Sequence, residues 1–461
     1  MNRRAFLGTL GAAAMQPARR PNVVFILADD LGWGDLPCYG HRNTVAHGGW
    51  LVRGELKMPH LDRMAREGTL FTQFYVASAV CSPSRAGFLT GQFPSKLGIH
   101  DYLATPDLNR KRGVRDSLDP SVATLPALLR RAGYATGHFG KWHLSSGANA
   151  PKPEEYGLDV YDECTRGQKE RPLSSERIAD AAIGFIEANR ARPFYLNLWL
   201  HDPHSPLHPS DESMAVYKEL SPRWGTHRGA MEVYYGVLTE MDRQIGRVLA
   251  KLDESGLSSD TIVVFSSDNG PESGLIPFVS HYGGAASAGP FRGLKRSLYE
   301  GGIRTPWMVR WPQHTPAGRV DNDTVFAAVD FLPTVAKLAG VSVPAGVDGQ
   351  DLSGALLGKR AQRTTPLLWE NRYPVYGHVL DQSPMLAVRE GRWKLLLNPD
   401  RSRMELYDIP NDPSEMNNLA GQQSGVAKRL ASKAIEWQKT LPPGPVDRDA
   451  GKTTYAWPGG R

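Results

Sequence analysis

Asn22-Val23-Val24-Phe25-Ile26-Leu27 is an unbroken apolar run that stops at the carboxylate pair Asp29-Asp30. A continuous run of this length, without polar alternation, marks a strand buried on both faces. The pattern recurs twice. Thr261-Ile262-Val263-Val264-Phe265 leads into Asp268-Asn269, and Phe194-Tyr195-Leu196-Asn197-Leu198-Trp199-Leu200 leads into His201. Helical periodicity lies around and between these runs, over 61–67, 125–132, 178–189, 231–252 and 330–338. Strands alternating with helices predict an α/β fold: a large, mixed, mostly parallel central sheet sandwiched by helices. In such sheets ligands bind outside the carboxyl ends of the strands, where these polar residues collect. Further on, Met385 to Arg389, Trp393 to Leu397 and Glu405 to Asp408 read as short antiparallel strands, followed by a helix over 426–440. They predict a smaller C-terminal subdomain.

The composition agrees. With 461 residues the chain can bury a large core, and 47 glycines and 35 prolines fit a loop-rich α/β protein better than a helical bundle. No apolar run in its body is long enough to span a bilayer, so an integral membrane protein is not expected. The net charge of +6 suits an anionic partner. Nucleic acid is not expected, because Arg110-Lys111-Arg112 is the one compact basic cluster, and it reads as a solvated loop. Three cysteines, Cys38, Cys81 and Cys164, make no disulfide framework, and without a C-x-x-C pair a thiol-redox role is disfavoured. At the N-terminus, Asn2-Arg3-Arg4-Ala5-Phe6-Leu7 precedes a short apolar stretch ending in Ala12-Ala13-Ala14. This reads as a bacterial export signal of twin-arginine type, which predicts a periplasmic or extracellular protein.

Three constellations carry chemistry. Cys81-Ser82-Pro83-Ser84-Arg85 runs into a helix that the sequence starts at Ser84, and a helix N-terminus beside an arginine suits a phosphate or sulfate ester. Asp29, Asp30, Asp268 and Asn269 offer only oxygen donors, the chemistry of Ca²⁺ or Mg²⁺ rather than zinc. Lys141 and His143 stand two apart, on one side of a segment read as extended, so that a cation and a proton carrier share a pocket.

Taken in order, these motifs resemble one family. Cys81 to Arg85 with Thr90-Gly91 matches the C-x-P-S-R motif of the formylglycine-dependent sulfatases, within the alkaline-phosphatase-like superfamily. Asp29-Asp30, Gly140-Lys141-Trp142-His143-Leu144, His201-Asp202-Pro203-His204, Ser267-Asp268-Asn269-Gly270 and Lys295 with Tyr299 to Arg304 follow in family order. The resemblance runs from about Pro21 to about Leu419. Phe291 to Lys295 and Trp307 to Pro312 look closest to N-acetylgalactosamine-6-sulfatase-like and arylsulfatase members.

The resemblance implies a sulfuric ester hydrolase acting on a sulfated carbohydrate, with Cys81 oxidised to formylglycine by a formylglycine-generating or sulfatase-maturing enzyme. It implies Ca²⁺, or Mg²⁺, on Asp29, Asp30, Asp268, Asn269 and residue 81. It gives Arg85, with the metal, the task of favouring the ionised hydroxyl of hydrated formylglycine, Lys141 and Lys295 that of neutralising charge on the sulfuryl oxygens, His204 that of protonating the leaving alcohol, and His143 that of helping sulfate depart from the covalently sulfated enzyme. His201 is expected to orient a neighbour or line the rim. The implied division is a signal peptide over 1–20, a catalytic domain over 21–360, a C-terminal subdomain over 361–441 and a tail over 442–461. A longer connection than the family's usual one carries His47, Trp50 and Arg53, all compatible with a sugar or an anion. A serine that some members use beyond the Gly140 to Leu144 motif has no counterpart, Ser145 and Ser146 being too near. The rival readings are a phosphonate monoester or phosphodiester hydrolase on the same scaffold and a catalytically silent glycan-binding protein. The latter would lack Cys81, Arg85 or a metal carboxylate, and all are present.

Overall fold

The computed structural model describes residues 20–40, 56–164, 175–219, 228–272 and 282–453, and the backbone of 45–46 and 50–51. Residues 1–19 of the expected signal, with His47 and Arg53, lie outside the described residues. The strands are β1 (Asn22–Ala28), β2 (Val45–Ala46), β3 (Trp50–Leu51), β4 (Thr69–Tyr75), β5 (Ala135–Gly140), β6 (Val160–Asp162), β7 (Phe194–Trp199) and β8 (Thr261–Ser267). They continue as β9 (Arg304–Arg310), β10 (Arg319–Asp321), β11 (Phe326–Ala327), β12 (Leu367–Glu370), β13 (Leu386–Glu390), β14 (Trp393–Leu397) and β15 (Glu405–Asp408). The helices are α1 (Pro59–Glu67), α2 (Cys81–Thr90), α3 (Pro106–Arg112), α4 (Leu125–Arg131), α5 (Ser175–Asn189) and α6 (Asp211–Ala215). After them come α7 (Ala230–Glu254), α8 (Glu300–Ile303), α9 (Phe331–Leu338), α10 (Ser353–Leu356) and α11 (Ser424–Lys439).

The main sheet runs β10-β4-β9-β8-β1-β7-β5-β6, with β11 beside β4. β1 is parallel to both neighbours, β7 and β8, and β5 is parallel to β7 and β6. Only β9 runs against its neighbours β8 and β4, so the sheet is mixed and mostly parallel, as expected. Every residue of β1 is buried, because alternate side chains enter two different cores. Val23, Phe25 and Leu27 join the layer of α2, α4 and α9, whereas Val24 and Ile26 join that of α1, α5 and α7. Each fully buried side chain of this size contributes about 1.5–3 kcal/mol, which makes β1 the axis of the domain.

The expected C-terminal strands form a second, antiparallel sheet, β12-β13-β14-β15, against which α11 buries Ala427, Leu430 and Ala434. This sheet is bound to the first by buried charge. Lys394 of β14 has no exposed surface and lies 2.9 Å from both Glu300 and Glu415. Tyr75 donates to Glu300 at 2.6 Å, and Arg304 approaches it at 3.2 Å. Removing one member of such a network would strand a charge in the interior, so these groups fix the docking of the two sheets.

Two smaller expectations are resolved here. Arg110-Lys111-Arg112 is not a solvated loop but the last turn of α3, where cations face the negative end of the helix dipole. Thr105 at its N-cap and Gly113 at its C-cap bound that helix, and Arg112 pairs with Asp101 at 2.7 Å. Cys38, Cys81 and Cys164 are all free thiols, in keeping with separate cysteines. No helix among the described residues is long and apolar enough to cross a membrane.

Candidate active site

Register puts the first part of the site together. Ala28 at the end of β1 lies opposite Ser267 at the end of β8, so Asp29-Asp30 and Asp268-Asn269 leave the sheet side by side. The Asp268 N–H donates to the Ala28 carbonyl at 3.1 Å, and the Asp29 N–H to that of Asp202 at 3.1 Å. Asp30 turns the chain with a φ of 66°, and its N–H donates to the Asp268 carboxylate at 3.2 Å. The third contributor is α2. It begins at Cys81 itself, three residues earlier than the sequence indicated, because the Ser84 N–H closes the first turn on the Val80 carbonyl at 3.1 Å. Pro83 is tolerated in that turn, where an N–H would have no helical partner anyway. All ten residues of α2 are buried. Ligand atoms of Asp29, Asp30, Asp268 and Cys81 therefore lie within 4.8 Å of one another.

Three cations surround this anionic knot. Arg85, wholly buried, donates twice to Asp268 at 2.9 and 2.7 Å and once to the Lys141 carbonyl at 2.7 Å. The Lys141 ammonium reaches Asp29 at 2.5 Å, and the Lys295 ammonium reaches Asp30 at 2.7 Å. Burial favours the protonated form of Asp29, but Lys141, His204, Arg85 and Lys295 outweigh it and hold this carboxyl well below the usual range. Burial, with the neighbouring Asp29 charge, instead pushes Asp268 up to about 6. Burial also pushes the Cys81 thiol up to about 12, which keeps it protonated and a poor nucleophile near neutral pH.

The histidines arrive from loops. β5 ends at Gly140, whose φ of 102° suits glycine, and a Cβ there would sit 1.9 Å from the Trp199 carbonyl oxygen. His143 has a φ of 56°, so Lys141 and His143 do not share a face of an extended segment; a turn brings both in. His143 Nε2 lies 2.7 Å from the Leu103 carbonyl, which makes it the N–H donor and leaves Nδ1 buried without a partner. Burial, then Lys141 and Arg85, hold this imidazole well below its ordinary value and so neutral. His204 has the opposite tautomer. Its Nδ1 donates to the Ser205 carbonyl at 2.6 Å, and its Nε2 lies 3.7 Å from Asp30. Burial and Lys141 lower its pKa, whereas Asp29 and Asp30 oppose them.

The donor set fits a hard cation. The amide nitrogen of Asn269 donates to Asp30 at 2.7 Å and to the Gly270 carbonyl at 2.9 Å, while its buried Oδ1 has no hydrogen-bond partner. An orphaned carboxamide oxygen beside three crowded carboxylates is an all-oxygen cage of the kind that Ca²⁺ or Mg²⁺ satisfies.

His201 is half-buried, its Nε2 lies 3.3 Å from the Glu163 carbonyl, and desolvation drops its pKa to about 4. Together with His204, Asp202, His208 and Glu240 it lines a cavity of about 220 Å³ beside the site. Trp50 is described only as backbone in β3, paired with Ala46. Sequence reasoning missed the ion pair of Arg296 with Glu272, at 2.6 and 3.1 Å, and Glu272 also lies 3.6 Å from Lys295. The available signal was position: Arg296 follows Lys295, and Glu272 follows the Asp268 to Gly270 motif by two.

Known proteins share this framework. The family model described as Sulfatase matches residues 21–341, and that described as N-sulphoglucosamine sulphohydrolase, C-terminal, matches residues 292–440. N-acetylgalactosamine-6-sulfatase of Rattus norvegicus is 32% identical, over 84% of this chain and 73% of the rat protein. N-acetylgalactosamine-6-O-sulfatase of Bacteroides thetaiotaomicron is 27% identical, over 92% of this chain and 94% of its own. The crystal structure of Ps i-CgsB in complex with k-i-k-neocarrahexaose superposes with a TM-score of 0.76 at 25% identity, covering 95% of this chain and 96% of that one.

Proposed function

The chain belongs to the sulfatase family, and on that premise we propose that it releases inorganic sulfate from an ester on a carbohydrate. The observation that carries this reading is the convergence of three carboxylates, two lysines and Arg85 on Cys81 at the start of a buried helix. The sugar class is supported by relatives named as N-acetylgalactosamine-6-sulfatases and by the k-i-k-neocarrahexaose in the related structure.

In this reading Cys81 is matured to formylglycine by a dedicated enzyme, and its hydrate supplies the hydroxyl nucleophile that a protonated thiol does not. Asp29, Asp30, Asp268, Asn269 and residue 81 hold Ca²⁺, or Mg²⁺, which supplies Lewis-acid stabilisation of the sulfuryl oxygens. Arg85 fixes Asp268 from the opposite side and adds positive charge beneath the nucleophile. Lys141 and Lys295 exchange part of their hold on Asp29 and Asp30 for the sulfuryl oxygens, an electrostatic contribution that needs no proton movement. His204, with Nδ1 tied to Ser205, gives the proton on Nε2 to the departing alcohol. The anionic substrate adds to Asp29 and Asp30 in favouring the protonated imidazole. His143, neutral and tied through Nε2, accepts a proton at Nδ1 when sulfate is expelled.

The same reading divides the chain into an export signal over 1–20, a catalytic domain over 21–360, a C-terminal subdomain over 361–441 and a tail over 442–461, with the mature protein acting outside the cytoplasm. A panel of sulfated mono- and oligosaccharides, assayed for released sulfate beside phosphodiesters and phosphonate monoesters, tests it. Sulfate release from at least one sugar, faster than any phosphorus ester is cleaved, is expected. Faster cleavage of the phosphorus esters would overturn it.

A further inference from the structure

A second charged cavity lies toward the β10 end of the main sheet, lined by residues of β4, β9 and the β10–β11 connection and by residues of β13 in the second sheet. Its volume is about 570 Å³, the size of sites that take small organic ligands. Five arginines line it, Arg304, Arg360, Arg363, Arg389 and Arg392, against one acid, Asp323. Three of the five are neutralised: Arg304 by Glu300 at 3.2 Å, Arg392 by Asp408 at 2.6 Å, and Arg363 by Asp330. The other two have no carboxylate partner among the described residues. Arg360 is exposed on the connection into the second sheet. Arg389 of β13 is only 2% exposed, and its guanidinium makes one hydrogen bond, from Nη2 to the Gln73 side-chain oxygen at 2.5 Å, while it lies over the Tyr75 ring. Its Nε and Nη1 are buried without any acceptor.

That arrangement is costly as it stands. A guanidinium taken out of water needs a counter-charge and acceptors for its fixed fork of N–H groups. Glu415, whose charge acts on Arg389, is engaged by Lys394 at 2.9 Å and by the Glu300 N–H at 2.6 Å. Burial lowers the pKa of Arg389 to about 9, as expected of a cation short of anionic partners. The site is also built rather than accidental. Gln73 stands where the β4–β9 register shifts between Phe71 and Phe74, and it holds both Arg389 and the Asn322 carbonyl.

We infer that this cavity is a second anion site, in which Arg389 from within and Arg360 from the rim bind a sulfate-type oxyanion. The planar guanidinium matches two oxygens of such an ion. The oxyanion comes from one of two sources: inorganic sulfate, or a sulfo group on a distant part of a long sulfated chain whose scissile ester sits among Asp29, Cys81 and Asp268. The inference deepens the proposed function, but the first source does not depend on it.

Equilibrium dialysis of the matured full-length protein against radiolabelled inorganic sulfate distinguishes the sources and separates this site from the catalytic one. The first source predicts two sulfates bound per chain, one lost in Lys295→Ala and the other weakened at least tenfold in Arg360→Glu, whose turnover of a small sulfate ester stays unchanged. The second predicts that Arg360→Glu instead weakens binding of a sulfated hexasaccharide at least tenfold but not that of a monosaccharide. Arg389→Gln, if it folds, reproduces either result; Arg360 is exposed, so its variant carries the test regardless. Unchanged affinity of Arg360→Glu for both inorganic sulfate and the hexasaccharide would overturn the inference.

Discussion

Replacing His204 by alanine separates the two histidines by the step each serves. The Nδ1 hydrogen bond to Ser205 at 2.6 Å fixes the ring so that Nε2 faces the carboxylate cluster, 3.7 Å from Asp30, and 31% of the side chain remains exposed toward the approach of substrate. Asp30 keeps its bonds from Asn269 and Lys295 when the ring is removed, so the cluster survives the change. Loss of a positioned general acid costs about 10²- to 10⁴-fold, or about 3–5 kcal/mol of barrier. That cost applies in full to a sugar alcohol, a poor leaving group, and falls to less than about tenfold for 4-nitrophenol, which departs as a stable phenolate. The assay is kcat/KM for His204→Ala on a sugar sulfate and on 4-nitrophenyl sulfate. His143→Ala is the control, because a base acting after the alcohol has left lowers kcat on both substrates alike and leaves kcat/KM unchanged. Equal losses on the two substrates for His204→Ala, or a selective loss for His143→Ala, would refute the assignment.

Asp268→Ala removes an oxygen ligand and the carboxylate oxygen that accepts two of Arg85's hydrogen bonds; elemental analysis should find Ca²⁺ or Mg²⁺ near one per chain in the wild type, and activity and metal should fall together in the variant. Stoichiometric zinc in the wild type would contradict the site. Gly140→Ala forces a Cβ to within 1.9 Å of the Trp199 carbonyl at a φ of 102°, and should cost at least about 3 kcal/mol in urea unfolding or leave the chain insoluble. His138, buried between Trp142 and Trp199, is held neutral by burial with its pKa lowered from 6.5 to about 3. The unfolded chain then takes up this proton first, so its contribution is complete above pH 6.5 and is lost as pH falls from there toward 3. At pH 5 the loss is about 2 kcal/mol, and His138→Phe should flatten the stability profile between pH 7 and 5 by that amount.

What the sequence exposes and what it conceals follow from the kind of burial each segment meets. β1, β7 and β8 are legible because both faces enter a core and select apolar residues throughout. β5 is equally buried but is written Ala-Thr-Gly-His-Phe-Gly, which has no continuous apolar run to mark it. Its Gly137 is required by the Phe185 ring, which a Cβ would approach to 2.9 Å, a contact 48 residues away in the chain. β4 hides for a different reason: its irregular register leaves Thr72 and Gln73 half-buried and breaks the apolar run. The residues of the carboxylate site were readable because each closes an apolar strand or sits in a compact motif. The Glu272–Arg296 pair and the arginine cavity were not, since nothing in their local sequence pairs their members, which meet only in the tertiary fold.

The central claim is that residue 81 and the carboxylates around it form the centre that splits a sulfate ester of a carbohydrate. Ion chromatography of sulfate released from a defined sulfated oligosaccharide, by the matured protein and by Cys81→Ala purified with its metal and matched in melting temperature, tests it directly. The account predicts steady release by the first, with formylglycine at position 81 in its tryptic peptide, and none above background by the second. Undiminished release by Cys81→Ala, or full activity from protein whose residue 81 is wholly unmodified cysteine, would contradict it.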